Sequence, residues 1–388
     1  MNRLRIVLVA TLLGACCFAQ NMDEARRIQA NVLGVDGHND TAQRILNEKT
    51  DIGKRLPDGT VDLPRLREGG VHVPFFALWV PTYYQGSEAV RRTLDLRDAM
   101  QSVFDKYPDQ IELAVSARDI ERIVAQKKIA AVLTAEGGHQ IDDDLGVLRM
   151  YRRMGILSMT LTHFRNNHWA DSSTAAPEHN GLTDFGKQVV REMNRIGMIV
   201  DISHVSDKTF YDVLEVTTKP VIASHSSCFV YSDIPRNMHD DMFRALAKNG
   251  GVVGVNFGSS FLNQQDAEAL KKMIAQRNAA EPTATGAELD AYAAKDYFAN
   301  NEGHPAVGHA SVEDAAECID HIVKIAGIDH VGIGSDFDGI PSVPAGLEDM
   351  SKMPNLTAAL LKRGYTEEDI KKIMGGNFLR VLRDVVGY

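Results

Sequence analysis

Eight apolar, β-branched runs recur along this chain, and segments of helical spacing separate them. They read as strands at Val32–Val35, Val71–Val80, Ile129–Thr134, Ile156–Leu161, Met198–Ile202, Pro220–Ala223, Gly251–Asn256 and His330–Gly334. Between them, Thr183–Ile196, Ser206–Val216 and Met238–Lys248 open on polar residues and then place apolar residues at helical intervals. Strands that are apolar almost throughout must be covered on both faces, and parallel strands gain that cover from their own connecting helices. The simplest solution is an α/β fold of the (β/α)8, TIM-like barrel type, with its active site at the C-terminal strand ends. A doubly wound open sheet is the alternative, but no Gly-x-Gly-x-x-Gly turn follows the first strand. With 388 residues, 44% of them hydrophobic, there is ample material for one such domain.

The strand ends carry the chemistry. The first run leads into His38-Asn-Asp40, and residues two apart in an extended chain point to the same side. Later runs end in Glu136-Gly-Gly-His139, Thr160-Leu-Thr-His163, Asp201-Ile-Ser-His204, Ser224-His225 and Gly334-Ser-Asp336-Phe-Asp338. Taken alone, each is more often a satisfied polar terminus than a ligand. Six of eight strands delivering His, Asp or Glu to one rim call for a metal centre. Four imidazoles and at least three carboxylates exceed the needs of one tetrahedral zinc. Two metals sharing a carboxylate fit better, since such a pair can activate water and polarise a carbonyl together.

The strings Val35-Asp-Gly-His38-Asn-Asp40, Glu136-Gly-Gly-His139, Leu161-Thr-His163-Phe164 with Trp169-Ala-Asp171, Ser203-His204-Val-Ser206, Ser224-His225-Ser-Ser227, Arg236-Asn237 and Gly334-Ser-Asp336-Phe-Asp338-Gly339 resemble the membrane dipeptidase (renal dipeptidase) family. The match in order and spacing runs from about residue 30 to the C-terminus. The resemblance implies a zinc-dependent dipeptidase with two zinc ions per chain. His38, Asp40 and a bridging Glu136 would hold one ion; Glu136, His204 and His225 would hold the other. It further implies a metal-bound hydroxide as nucleophile. His163 would polarise the scissile carbonyl, Arg236 would receive the substrate carboxylate, and Asp336 would contact the amine and shuttle a proton. Asp336 is preferred to Asp338 on the family pattern. The expected substrates are small dipeptides, including those with a D-residue at the C-terminal position. An amidase, a deacylase of N-acyl amino acids, or a β-lactam-ring hydrolase on the same barrel is the rival reading. A metal-free binding protein is the rival from another class.

Other features set bounds. Residues 1–19 have a signal peptide's pattern, with Arg3 and Arg5 ahead of the apolar stretch Ile6–Leu13, a core too short to span a membrane. Cleavage after Ala19 would leave 20–388 as one catalytic domain and an exported enzyme, periplasmic or extracellular. Leu13-Gly-Ala-Cys16 offers the other outcome, a lipoprotein anchored through Cys16. The net charge of -10 becomes -12 once Arg3 and Arg5 are removed, and without basic clusters it argues against nucleic acid. Cys228 and Cys318 can pair only if the fold brings them together. No transmembrane helix is expected in the mature chain, and a homodimer is left open.

Phe261–Ser311 is a long insertion between the seventh and eighth strands, with helical character at Ala267–Arg277 and Ala287–Tyr297 around Glu281-Pro-Thr-Ala-Thr-Gly286. It leaves from the C-terminal rim and is expected to cover the site, the alternative being an insertion that folds outward and serves only a subunit contact. Vertebrate relatives carry a C-terminal lipid anchor; the ending Val385-Val-Gly-Tyr388 lacks a hydrophobic tail, so that anchor is expected to be absent. His139 reads as a supporting or loop residue. His168, His179, His239, His304 and His309 read as non-functional, and Trp169 and Tyr83-Tyr84 as packing or pocket aromatics.

Overall fold

The computed structural model describes residues 22–279, 286–292 and 305–388. The targeting segment with Cys16, residues 281–285 and 293–297 of the insertion, and His304 lie outside the described residues. In chain order the strands are β1 (Gly34–Asn39), β2 (Val71–Trp79), β3 (Ile111–Leu113), β4 (Ile129–Glu136), β5 (Ile156–Thr160), β6 (Ile199–Asp201), β7 (Ile222–Ser226), β8 (Val252–Val255), β9 (Ala306–Ser311), β10 (Val331–Ile333) and β11 (Ser342–Ala345). Eight of them, β1-β2-β4-β5-β6-β7-β8-β10, pair in that order, all parallel, and helices alternate with them. This is the expected (β/α)8 barrel.

The eight runs read from sequence all appear, with shifted ends. β1 begins two residues later than expected and continues through His38, while β4 continues past Thr134 to Glu136. Polar inward residues stop a reading based on apolar runs, but the pairing of Trp79 with Glu136, and of Glu136 with Thr160, carries the strand on. Three short strands were not foreseen: β3 adds to the edge of β4, and β9 with β11 forms a separate parallel pair. Two polar helix starts turn out to be caps. Thr183 accepts from Gly186 N–H ahead of Asp184–Ile196, and Ser206 accepts from Thr209 N–H ahead of Asp207–Val216. The third helix, Asp240–Asn249, starts after His239 without a side-chain cap.

Strand parity divides the core. Val73, Phe75, Ala130, Val132, Leu157, Ile199 and Val252 join Phe378 and Leu382 of the C-terminal helix Asn377–Val386 in one buried cluster. These are the early positions of their strands, so apolar packing fills the end of the barrel away from the polar rim. The opposite strand faces pack against the outer helices in a larger cluster.

The seam between β10 and β1 closes through the loop after β10. Asp336 N–H donates to His38 O at 3.0 Å, and Asp40 N–H donates to Phe337 O at 2.9 Å. Asp36 ties the same seam, accepting from Ser335 N–H at 2.8 Å and from the Ser335 hydroxyl at 3.1 Å. Burial pushes its carboxyl up to about 6 despite those bonds. Asp36→Ala leaves the buried Ser335 N–H unsatisfied, while the Ser335 hydroxyl keeps His38 O at 3.3 Å, and is expected to cost about 1–3 kcal/mol of stability. Denaturant titration checks this; a midpoint equal to that of the parent would show that the seam does not depend on Asp36.

The insertion begins with Ser259–Leu262 and the helix Gln264–Ala279, which contains the expected Ala267–Arg277. Of the second expected helix, residues 287–292 are helical. Cys228 and Cys318 are both buried free thiols with Sγ atoms 2.6 Å apart, so the fold does bring this pair together. No helix among the described residues is long and apolar enough to cross a membrane.

Candidate metal centre

Every barrel strand sends a residue to one rim. β1 supplies His38 and, just beyond it, Asp40; β4 ends in Glu136; β7 contains His225. His163, His204 and Asp336 each follow their strand by three residues, after β5, β6 and β10. His204 and Asp336 take left-handed backbone, φ 70° and 59°, which is uncommon for residues other than glycine and bends the chain at the rim. Gly339 makes room for the cluster: a Cβ there would collide with Asp40 Oδ2.

Glu136 stands at the centre and is 2% exposed. Its Oε2 is 3.3 Å from His38 Nε2, which is itself 3.7 Å from Asp40 Oδ1. Its Oε1 is 3.0 Å from His204 Nε2, 3.3 Å from His225 Nε2 and 3.8 Å from His163 Nε2. The two carboxylate oxygens therefore address different partners. Asp336 Oδ1 lies 4.0 Å from His38 Nε2, so His38, Asp40 and Asp336 also converge. His163 converges with Glu136 and His204, a grouping not foreseen from sequence.

The electrostatics are those of crowded ligands. Burial alone would raise Glu136, but the His38 charge and bonds from His204 and His225 hold it well below the carboxylate range. Burial pushes Asp40 up to about 6 and Asp336 up to about 7, with the neighbouring carboxylate charges acting in the same direction. Burial holds His204 and His225 well below the usual imidazole range, which keeps their lone pairs free. His38 Nε2, Asp40 Oδ1 and Glu136 Oε2 are buried and lack a hydrogen-bond partner among the described residues. Carboxylate oxygens and imidazole nitrogens packed this closely in a buried site fit a bound cation.

Two strands contribute through residues that sequence reading passed over. Trp79, at the end of β2, donates Nε1–H to His163 Nδ1 at 3.0 Å. An indole can only donate, so Nδ1 of neutral His163 accepts and its proton sits on Nε2, the nitrogen facing Glu136. Asn256, just beyond β8, donates to Asp336 Oδ2 at 2.8 Å. Neither residue type is a metal ligand, and nothing in a linear pattern marks them. Ser224 similarly bonds His225 Nδ1 at 2.7 Å. Trp79→Phe is expected to lower kcat about 10- to 100-fold with little change in KM, because it frees the His163 tautomer while keeping an aromatic ring in the cleft lining. An unchanged kcat in steady-state kinetics would remove Trp79 from the machinery.

Arg236 is buried beside the cluster, 4% exposed, and Nη2 donates to His225 O at 3.0 Å. Among the described residues no carboxylate stands within ion-pair distance of it, and burial lowers it to about 10. Asp338 is otherwise engaged: it accepts from Thr41 at 2.8 Å and from the Thr60 hydroxyl at 2.6 Å. His139 is buried outside the cluster, pushed down to about 4 by burial. His168 pairs with Asp143, His179 with Asn167 O, and His309 with Asp266, while His239 stacks on Phe229. Trp169 is core packing against Phe185, and Asp171 caps the backbone of Glu178, His179 and Gly181. Tyr83 and Tyr84 stack together beside Tyr292 and do not line the cleft.

A parallel eight-stranded barrel with a buried His/Glu/Asp cluster on its C-terminal rim defines a metal-dependent hydrolase. The chain belongs to the membrane dipeptidase family, peptidase family M19, whose sequence profile matches residues 22–387. It is a metallo-dipeptidase. It is 37% identical over 366 residues to dipeptidase tcpJ of Claviceps purpurea (strain 20.1), covering 90% of this chain and 76% of that one. The crystal structure of the probable dipeptidase PvdM from Pseudomonas aeruginosa superposes with a TM-score of 0.80 at 27% identity, covering 95% of this chain and 99% of the other. The metallopeptidase dipeptidase AC follows at 0.75 and 25% identity, over 92% and 99% of the two chains.

Proposed function

We propose that this enzyme hydrolyses the single peptide bond of small dipeptides, with two zinc ions bridged by Glu136. His38 and Asp40 would complete one site, and His204 and His225 the other, in keeping with the two faces of the Glu136 carboxylate. Bound there, the ions would supply an activated water and Lewis-acid polarisation of the carbonyl. The observation that carries the substrate reading is Arg236, a buried cation beside the cluster with no carboxylate partner among the described residues. Its planar fork receives the substrate's C-terminal carboxylate. His163, with its proton directed to Nε2 by Trp79, donates to the carbonyl oxygen as that atom gains charge. Asp336, held by Asn256, receives the substrate amine and carries a proton to the leaving nitrogen. Grip on the two charged ends leaves the handedness of the C-terminal residue to the pocket wall, so D-residues there belong to the same proposal. Export of the enzyme, read from residues 1–19, is part of it too.

The test is a panel of dipeptides with L- or D-residues at the C-terminal position, together with N-acetylated dipeptides. Cleavage confined to free dipeptides is expected. Equal or faster cleavage of the N-acetylated compounds would replace this reading with a deacylase.

The insertion 261–311 is proposed as the cover of this site. Phe261, Leu270 and Met273 line the cleft above the cluster. Farther along, Asp290 accepts from Tyr84 Oη and from Arg91 Nη2, both at 2.8 Å, which fastens the insertion to the segment after β2. Replacing 264–308 with a short Gly/Ser linker is expected to lower dipeptide turnover and raise the relative rate on a tripeptide. A folded, zinc-loaded deletion variant with an unchanged ratio of the two rates would end the cover proposal.

A further inference from the structure

The helix Gln264–Ala279 is mounted on the segment that carries Arg236. Ala267, Leu270 and Ile274, spaced along one helix face, pack with Ile234 and Phe261 in a small core of their own. Asn237, next to Arg236, donates to Phe261 O at 2.9 Å, and the Arg236 guanidinium lies 5.5 Å from the centre of the Phe261 ring. The same helix turns Leu270 and Met273 into the cleft, next to Phe261 and facing Ile340. The charged residues lining the cleft all come from the barrel rim and its loops: Asp40, Glu136, Arg236, Asp336 and Asp338, with the histidines. The described part of the insertion adds only apolar side chains to that lining.

We infer that this helix sets the specificity for the C-terminal residue of the substrate, favouring an apolar side chain and rejecting a charged one. The inference rests on the substrate carboxylate lying at Arg236. A carboxylate held there puts the adjacent side chain beside Phe261, Leu270 and Met273. An aliphatic group gains burial against them, whereas an acidic or basic group loses its water without gaining a partner. The wall belongs to the insertion, so the preference is a property of this chain's loop and separate from the chemistry of the metal cluster.

The experiment compares kcat/KM for alanyl-leucine and alanyl-aspartate in the full-length zinc-loaded enzyme and in Met273→Lys, with zinc content and melting temperature measured on both. The parent is expected to prefer alanyl-leucine by roughly 10-fold or more, and Met273→Lys to shrink that ratio by a similar factor. Met273→Gln, which changes polarity at nearly constant length, is expected to lie between them and serves if the lysine variant does not fold. A parent ratio near one, or a ratio unchanged in a folded, zinc-loaded variant, overturns the inference. The amide of alanyl-leucine separates the underlying reading. If it is cleaved as fast as the free acid, the carboxylate is not held at Arg236 and that reading falls first.

Discussion

Glu136→Ala is expected to lose metal from both halves of the centre and to lower kcat/KM on the order of 10⁴-fold or more. The reason is geometric. One oxygen of Glu136 lies 3.3 Å from His38, and the other lies 3.0 and 3.3 Å from His204 and His225, so a single side chain would serve both proposed ligand sets. No other carboxylate among the described residues is placed to substitute for it, because Asp40 and Asp336 approach from the His38 side. His204→Ala would remove a ligand from one proposed set only and is expected to weaken one ion while leaving the other. Zinc per chain, measured by elemental analysis after dialysis, checks both variants. Two tightly held ions in Glu136→Ala would refute the bridge.

Arg236→Ala is expected to reduce kcat/KM on dipeptides by 30- to 1000-fold, about 2–4 kcal/mol, and to affect their C-terminal amides far less. A surface ion pair would predict almost no kinetic effect, but Arg236 is buried and has no carboxylate to pair with among the described residues. Its stability signature should differ from that of Asp36. A buried charge without a partner is a cost to the fold, so the melting temperature is expected to hold or rise when the guanidinium is removed. Equal kinetic losses on acids and amides, or a marked fall in melting temperature, would make Arg236 a structural residue.

Legibility followed side-chain type. Six strand ends stood out in the sequence because His, Asp and Glu rarely end so many apolar runs together. β2 and β8 looked silent because Trp79 and Asn256 ligate nothing; their roles come from touching His163 and Asp336. The strands β3, β9 and β11 escaped for another reason. They are short, and β9 is largely exposed, so neither a continuous apolar run nor clear alternation marks them. Asp36 was visible only as part of a motif; its place in the barrel seam depends on Ser335, 299 positions away.

The sequence by itself determined the barrel and the residue types at its rim, because both are written in local order: apolar runs at regular spacing, each ending in a characteristic polar residue. Only the tertiary structure decided how those residues divide the work. Which oxygen of Glu136 faces which imidazole depends on side chains meeting across the barrel. So do the Nε2 proton of His163, the engagement of Asp338 by Thr41 and Thr60, and the lack of a carboxylate partner for Arg236 among the described residues. Spacing along a chain limits which contacts are reachable. Burial and distance then settle which of them form, since a polar atom removed from water must find its partner among whatever the fold has placed within about 3 Å.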